Sequence, residues 1–390
     1  MKIILFVFAI SLLLGITACT PCNSSFRYSQ PENIGDGFNT GNLEEVGIDT
    51  ALISEAIREI HCGRFNEIHS MLIYRDSLLV LEQYFEGYKY QWDAPGYRGE
   101  QVQWEKDMLH PTMSCTKSFV SACIGMAINQ GYIKDIKEPI FNYLPDHQQY
   151  KTGGKEHITI AHLLTMTSGL AWDEWGAAHG TSANDIDRLY FDCSNDPITC
   201  VLERDLVHKP GAVFNYNGGG VVLLGEILKN ATQRDFAAFS KAELFEPLEI
   251  DSVAWYQFNN GVYATDGSMY LTPRSMLKFG VLYQNGGKWR GKNIIPETWI
   301  EKSTAVFGNN RDIRIPIEDS GKNDYGYLWW ISHLAHKGKQ VNMYRANGWG
   351  GQTIMVFPEL NMTVEFTSGN YATGSRLFRL VENYVLPAVE

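Results

Sequence analysis

Positive charge is in short supply: 33 Lys and Arg stand against 44 Asp and Glu over 390 residues, a formal net charge of −11. Such an acidic chain lacks the basic footprint that phosphate binding needs, so nucleic acid is not expected as a partner. Cysteines number only seven; their single C-x-x-C, Cys19-Thr20-Pro21-Cys22, has no second pair to complete a ligand set, and there is no H-E-x-x-H. The spacing of a full metal-ligand set is therefore missing, so no metal is expected. The absence of G-x-S-x-G excludes the nucleophile elbow of a Ser-His-Asp α/β-hydrolase. Long apolar runs are confined to residues 3–16, so the body of the chain carries no membrane span.

That one run has a recognisable grammar. Lys2, the apolar stretch and the small residues Thr17-Ala18 read as a signal peptide over residues 1–18, too short for a comfortable span. Gly15-Ile16-Thr17-Ala18-Cys19 resembles the lipobox of bacterial lipoproteins, which implies lipidation at Cys19 and a cell-envelope location; a plain secretory signal or a single hydrophobic anchor is the alternative. Residues 19–45, rich in Pro, Asn, Ser and Gly, read as the tether. Cys22, Cys62, Cys115, Cys123, Cys193 and Cys200 remain for an oxidising compartment. Cys193 and Cys200, seven apart in a loop-like stretch, either bridge or stay thiols.

Periodicity places strands at both ends and helices between. Asp49 caps a helix with Leu52, Ile53, Ala56, Ile57 and Ile60 on one face. Residues 71–74 and 78–85 read as a hairpin around Arg75-Asp76-Ser77; residues 341–345, 353–357 and 362–367 read as three more strands. A final helix is expected at about 375–385. Helices are expected at about 114–130, 160–165, 221–228 and 236–244. The economical fold is α+β: an antiparallel sheet built from both termini and flanked by helices, with an inserted all-helical domain. The corresponding boundaries are 46–112 and 264–390 for the α/β domain and 113–263 for the mainly helical one.

Ser114-Cys115-Thr116-Lys117 carries the sharpest chemistry. Residues three apart share a helix face, so the Ser114 hydroxyl and the Lys117 amine come within reach of each other. A serine hydroxyl needs its proton removed before it attacks, and a lysine can accept that proton where burial disfavours the ammonium form. A first-turn position adds a partial positive field for a developing oxyanion.

The segment Pro111 to Phe119 (PTMSCTKSF) resembles the first motif of the serine β-lactamase and penicillin-binding-protein superfamily. Further stretches match in order: Gly131-Tyr132-Ile133, Tyr143-Leu144-Pro145, Ile158 to Leu170, Pro210 to Tyr216, Leu271 to Arg274, Tyr325 to Trp330, and Gly348 to Gln352. The branch most resembled holds AmpC-type β-lactamases, D-peptidases, β-lactamase-fold esterases and 6-aminohexanoate-dimer hydrolase, and the likeness runs from about Gly47 to Tyr384. It implies a β-lactamase/transpeptidase-like fold with Ser114 as acylated nucleophile, Lys117 as proton acceptor and Tyr216 as proton shuttle. It also implies an oxyanion hole from the Ser114 and Trp349 backbone N–H groups. The second motif reads Tyr216-Asn217-Gly218, with Asn217 or Asn215 in place of the usual third-position Asn. The third reads Ala346-Asn347-Gly348, without the cation that holds a substrate carboxylate, and Arg345 should face the other way. Substrate contacts are therefore expected from Asn217, Ala346 and Gly348, and aromatic ones from Trp172 and Trp175, ahead of Tyr190 and Trp349. Asp173, Glu174, Asp185 and Asp187 are expected to face solvent, with one of them available to a substrate amine.

These readings converge on a serine hydrolase, an esterase or amidase acting on small uncharged or amine-bearing acyl compounds or peptides, and such chemistry calls for no organic cofactor. A peptidoglycan D-Ala peptidase, penicillin binder or weak β-lactamase is the nearer rival. A non-catalytic binding module on the same fold is the further one.

Overall fold

The computed structural model describes residues 25–390. The signal peptide, Cys19 and Cys22 lie outside the described residues. The first strands in chain order are β1 (Ile68–Arg75), β2 (Leu78–Tyr84), β3 (Glu86–Tyr90), β4 (Arg98–Gln103) and β5 (His110–Pro111). Next come β6 (Val253–Trp255), β7 (Met269–Leu271), β8 (Lys288–Trp289) and β9 (Lys292–Asn293). The last are β10 (Asp324–Tyr325), β11 (Trp330–His336), β12 (Lys339–Gly348), β13 (Gln352–Phe357) and β14 (Met362–Ser368). Seven of them form one antiparallel sheet in the order β10-β11-β12-β13-β14-β1-β2, so that both ends of the chain meet where β14 pairs with β1.

Strand periodicity divides the apolar side chains between two cores. Met71 and Ile73 of β1, with Met355, Val364 and Phe366, face one core under α1 (Thr50–His61) and the C-terminal helical turns. Leu72 and Tyr74, with Ile354 and Val356, face the other, which continues into the helices. Burial on both faces explains why β1 (IHSMLIYR) is almost continuously buried instead of alternating. The helical layer contains α2 (Thr116–Asn129), α3 (Ile160–Leu164), α4 (Asp185–Phe191), α5 (Pro197–Leu202), α6 (Gly218–Thr232) and α7 (Phe236–Ser240). In α2 nearly every residue through Ala127 is buried, as an all-round apolar sequence requires.

The stretch read as a tether is docked from residue 25 onward. Phe38 is buried against Tyr74 and Trp289, with ring centroids at 5.6 and 5.4 Å. The Leu79 N–H donates to the Asn39 carbonyl (2.8 Å), the Gly41 N–H to that of Leu79 (3.1 Å), and the Tyr28 hydroxyl to Val80 O (2.8 Å). Strand β2 is the sheet's edge, and this segment covers its otherwise open backbone groups. Cys193 and Cys200 are disulfide-bonded with Cα atoms 6.0 Å apart, joining the end of α4 to α5, while Cys115 and Cys123 are buried thiols.

Beneath the hairpin β3–β4 lies a buried histidine pair. His69 Nδ1 is 2.8 Å from His110 Nε2, His69 Nε2 is 3.1 Å from Glu67, and Trp104 packs on both rings. Burial pushes both imidazoles below their ordinary range, against the opposing pull of Glu67 on His69; a charged His69 would depress His110 further. The neutral pair therefore contributes stability that is whole above about pH 6.5 and is lost as pH falls through the depressed folded-state values. Thermal melts should show the midpoint dropping by roughly 5 °C between about pH 7.5 and about pH 5, a slope that His110→Gln flattens. An unchanged slope in that variant would assign the acid sensitivity elsewhere.

Candidate active site

Ser114 sits in a one-turn 3-10 helix (Met113–Cys115) leading directly into α2. The residue before it, Met113, is held at φ +48°, a left-handed backbone conformation that a side chain disfavours and that tends to be stored at working sites. Lys117 Nζ donates to Ser114 Oγ at 2.9 Å and to the Asp266 backbone carbonyl at 2.6 Å, and it is 2% exposed. The same Nζ stands 5.0 Å over the centroid of the Tyr216 ring. Tyr216 is buried against Trp175, stacked at 4.8 Å, and against Trp330 at 5.9 Å. Burial and the Glu174 carboxylate push its phenol well above the ordinary tyrosine range, while hydrogen bonding with Ser114 opposes them. The three residues expected to carry the chemistry are thus brought together around one hydroxyl.

These groups line a cavity of about 790 Å³ between the helical layer, the C-terminal end of β12 and the hairpin β3–β4. Trp349 borders it just beyond β12, its indole N–H donating to Tyr371 O at 3.0 Å. Gly348 is where the strand closes on the Ser114 turn: a Cβ there would lie 2.5 Å from Thr112 O and 3.0 Å from Met113 Cβ. Gly348→Ala is therefore expected to push the nucleophile turn aside and lower kcat by about a hundredfold, since small misplacements of reacting groups carry costs of that order. Wild-type kcat in that variant would remove Gly348 from the account.

Four expected substrate contacts are placed elsewhere. Asn217 is buried as the N-cap of α6, its Oδ1 accepting from Gly220 N at 2.8 Å, and it does not line the cavity. Trp172 is tucked beneath α6 and touches the place where a Gly219 Cβ would stand; its indole N–H is spent on Glu174 at 2.9 Å. Ala346 is fully buried, and neither it nor Gly348 lines the cavity; the wall there is Asn347 and Trp349. Of the favoured aromatic pair only Trp175 faces the cavity. Tyr190 and Trp349 do as well. Arg345 is buried away from it, ion-paired to Glu318 at 3.1 Å, and Asp185 and Asp187 are buried where solvent exposure was expected.

Asp266 and Glu318 were not anticipated. The Asp266 carboxylate accepts from the Tyr190 hydroxyl at 3.0 and 3.1 Å; burial, offset in part by Lys117, raises it to about 6. It arrives on a loop 149 residues from Lys117, and no local pattern announces it. Glu318 accepts from Asn347 Nδ2 at 2.6 Å and also lines the cavity.

A seven-stranded antiparallel sheet with a helical layer and a Ser-x-x-Lys turn at their junction defines a class, and the comparisons place the chain within it. The Beta-lactamase family model matches residues 69–379, and the chain belongs to that family. An uncharacterized protein of Alkalihalophilus pseudofirmus is 22% identical over 318 residues, 75% of this chain and 81% of its own length. Among solved structures, a Bacillus anthracis protein provisionally assigned as a 6-aminohexanoate-dimer hydrolase superposes with a TM-score of 0.65 at 20% identity, covering 84% of this chain and 80% of its own. A family VIII carboxylesterase gives 0.64 at 16% identity, covering 86% and 96%. At these identities the structures establish the shared fold.

Proposed function

We propose that the chain is a serine hydrolase that cleaves an ester or amide through an acyl-Ser114 intermediate. The observation that carries this reading is the Ser114 hydroxyl, 2.9 Å from a buried Lys117 amine and opening on a cavity. In the proposed cycle Lys117, with Tyr216 beside it, takes the Ser114 proton as Oγ attacks the carbonyl. The Ser114 and Trp349 backbone N–H groups receive the oxyanion. Tyr216, its phenol kept protonated by burial, passes a proton to the leaving group; water then releases the acyl group.

The test is covalent labelling with a fluorophosphonate, the modified residue mapped by mass spectrometry, beside turnover of short-chain p-nitrophenyl esters and nitrocefin. A label on Ser114 with ester turnover well above nitrocefin turnover is expected. Comparable nitrocefin turnover would favour the lactamase or D-peptidase reading, and no label on folded protein would leave only a binding module. We also propose attachment to the cell envelope through lipid on Cys19, supported by the residues around it. Cys19→Ala should then move the expressed protein from the detergent phase to the aqueous phase on Triton X-114 partition; an unchanged partition overturns the lipid anchor.

A further inference from the structure

The cavity wall is lopsided in charge. Among the described residues, four carboxyl groups line it (Glu174, Asp187, Asp266 and Glu318) against a single lysine, Lys117, which is already committed to Ser114 and Asp266. Three of the four have partners that blunt them. Glu318 is paired with Arg345, Asp187 lies 3.1 Å from His179, and Asp266, raised to about 6, is bonded to Tyr190. Glu174 differs. Its Oε2 accepts from Trp172 Nε1 (2.9 Å) and Gly218 N (2.7 Å), which fix the carboxylate on the wall, and among the described residues no cation stands within ion-pair distance of it.

The rest of the wall is suited to a cation. Twelve aromatic side chains line the cavity. On that wall His179 stacks on Trp349 at 4.4 Å, and Tyr97 and Tyr371 meet the same indole at 4.8 and 5.2 Å. Aromatic faces attract ammonium groups and compensate part of the hydration a cation leaves behind. An anionic substrate meets the reverse: a field of carboxylates and, among the described residues of the wall, no free positive partner.

We infer that the substrate carries a cationic ammonium group, quaternary or protonated, and that Glu174 is the specificity-determining carboxylate that receives it. This rests on the serine-hydrolase reading and narrows it to cationic esters or amides. The chemistry at Ser114 is unchanged: the acyl C–O or C–N bond breaks as the serine ester forms, and the leaving alcohol or amine departs with a proton.

The experiment uses the full chain purified in detergent and two matched substrate pairs. Acetylcholine against 3,3-dimethylbutyl acetate puts the charge on the leaving group. The p-nitrophenyl esters of 4-(trimethylammonio)butyrate and 5,5-dimethylhexanoate put it on the acyl group. In at least one pair the cationic member is expected to lead in kcat/KM by about tenfold or more at low salt, a lead that shrinks with ionic strength. Glu174→Gln keeps an acceptor for Trp172 and Gly218, and the ratio should fall toward unity while fluorophosphonate labelling of Ser114 shows the site is formed. Glu318→Gln, whose charge is already paired, should leave most of the lead in place. Tetramethylammonium should likewise slow fluorophosphonate labelling of the wild type and slow it less in Glu174→Gln. Turnover or labelling with neither a cationic lead nor protection overturns this inference and leaves the hydrolase reading standing. A lead of the same size in Glu174→Gln overturns the role of Glu174. Absence of both labelling and turnover overturns the hydrolase reading and this inference together.

Discussion

Ser114→Ala is expected to abolish fluorophosphonate labelling and to lower ester turnover by about ten-thousandfold or more, and Lys117→Met to come close to it. Under the proposed mechanism the two act as one unit, since the Lys117 amine 2.9 Å away is the group that takes the proton of the hydroxyl. A double variant should therefore be scarcely worse than Ser114→Ala alone, the non-additivity expected of groups serving one step. Methionine preserves the unbranched stem in its buried slot, so circular dichroism and melting should report a folded protein. Substantial turnover by Lys117→Met would reassign the proton acceptor; Tyr216, whose phenol is driven upward by burial, is poorly suited to that task in its resting state.

The largest effect on stability is expected at Arg274. It lies at the start of the helix Pro273–Gln284, where its guanidinium grips Glu82 of β2 through Nε (2.7 Å) and an Nη atom (2.5 Å), reaches Asp36 at 3.2 Å, and donates to the Glu32 carbonyl at 2.8 Å. Both side chains of the central pair are almost wholly withdrawn from water, at 5% and 8% exposure. Removing one partner of such a pair strands the other, so Arg274→Met should cost about 3–5 kcal/mol, read in a chain of this length as a drop of roughly 5 °C in melting temperature. Adding Glu82→Leu should recover much of the loss. A single variant that melts like the wild type would show that the pair is not holding the N-terminal segment to the sheet.

Residues in short, repeating relationships were the legible ones. Ser114 and Lys117 are one helical turn apart, and the hairpin of β1 and β2 follows from apolar runs around Asp76-Ser77, both at positive φ in the structure. The strands 353–357 and 362–367 were expected nearly to the residue. What escaped depends on partners distant in the chain. β11, WISHLAH, carries two histidines and an alanine and becomes a strand only by lying between β10 and β12. The Pro273–Gln284 helix has an N-cap threonine and a first-turn proline, a readable start that served only the family resemblance. Asn217 was expected to face substrate because it follows Tyr216; the backbone bends there into α6, and capping claims the side chain. Asp185 and Asp187 read as solvent-facing from charge alone, yet both are buried, Asp185 against Arg204 and Asp187 against His179. Asp266 and Glu318 reach the cavity from loops whose course no spacing rule predicts.

On the proposed reading, the pairing of β14 with β1, which begins at Ile68 and Ser368, also bears on when the site can become competent. The nucleophile turn is synthesised early, but the wall beside it waits for Gly348 and Trp349, and the sheet carrying that wall is incomplete until β14 slots between β13 and β1. A ribosome two-thirds through the message has thus made Ser114, Lys117 and Tyr216 without making a reactive centre. Such distant pairing is slow to form, and the interval in which the seryl group exists but remains inert is correspondingly long. Activity should therefore switch on abruptly with the last strand rather than accumulate with chain length.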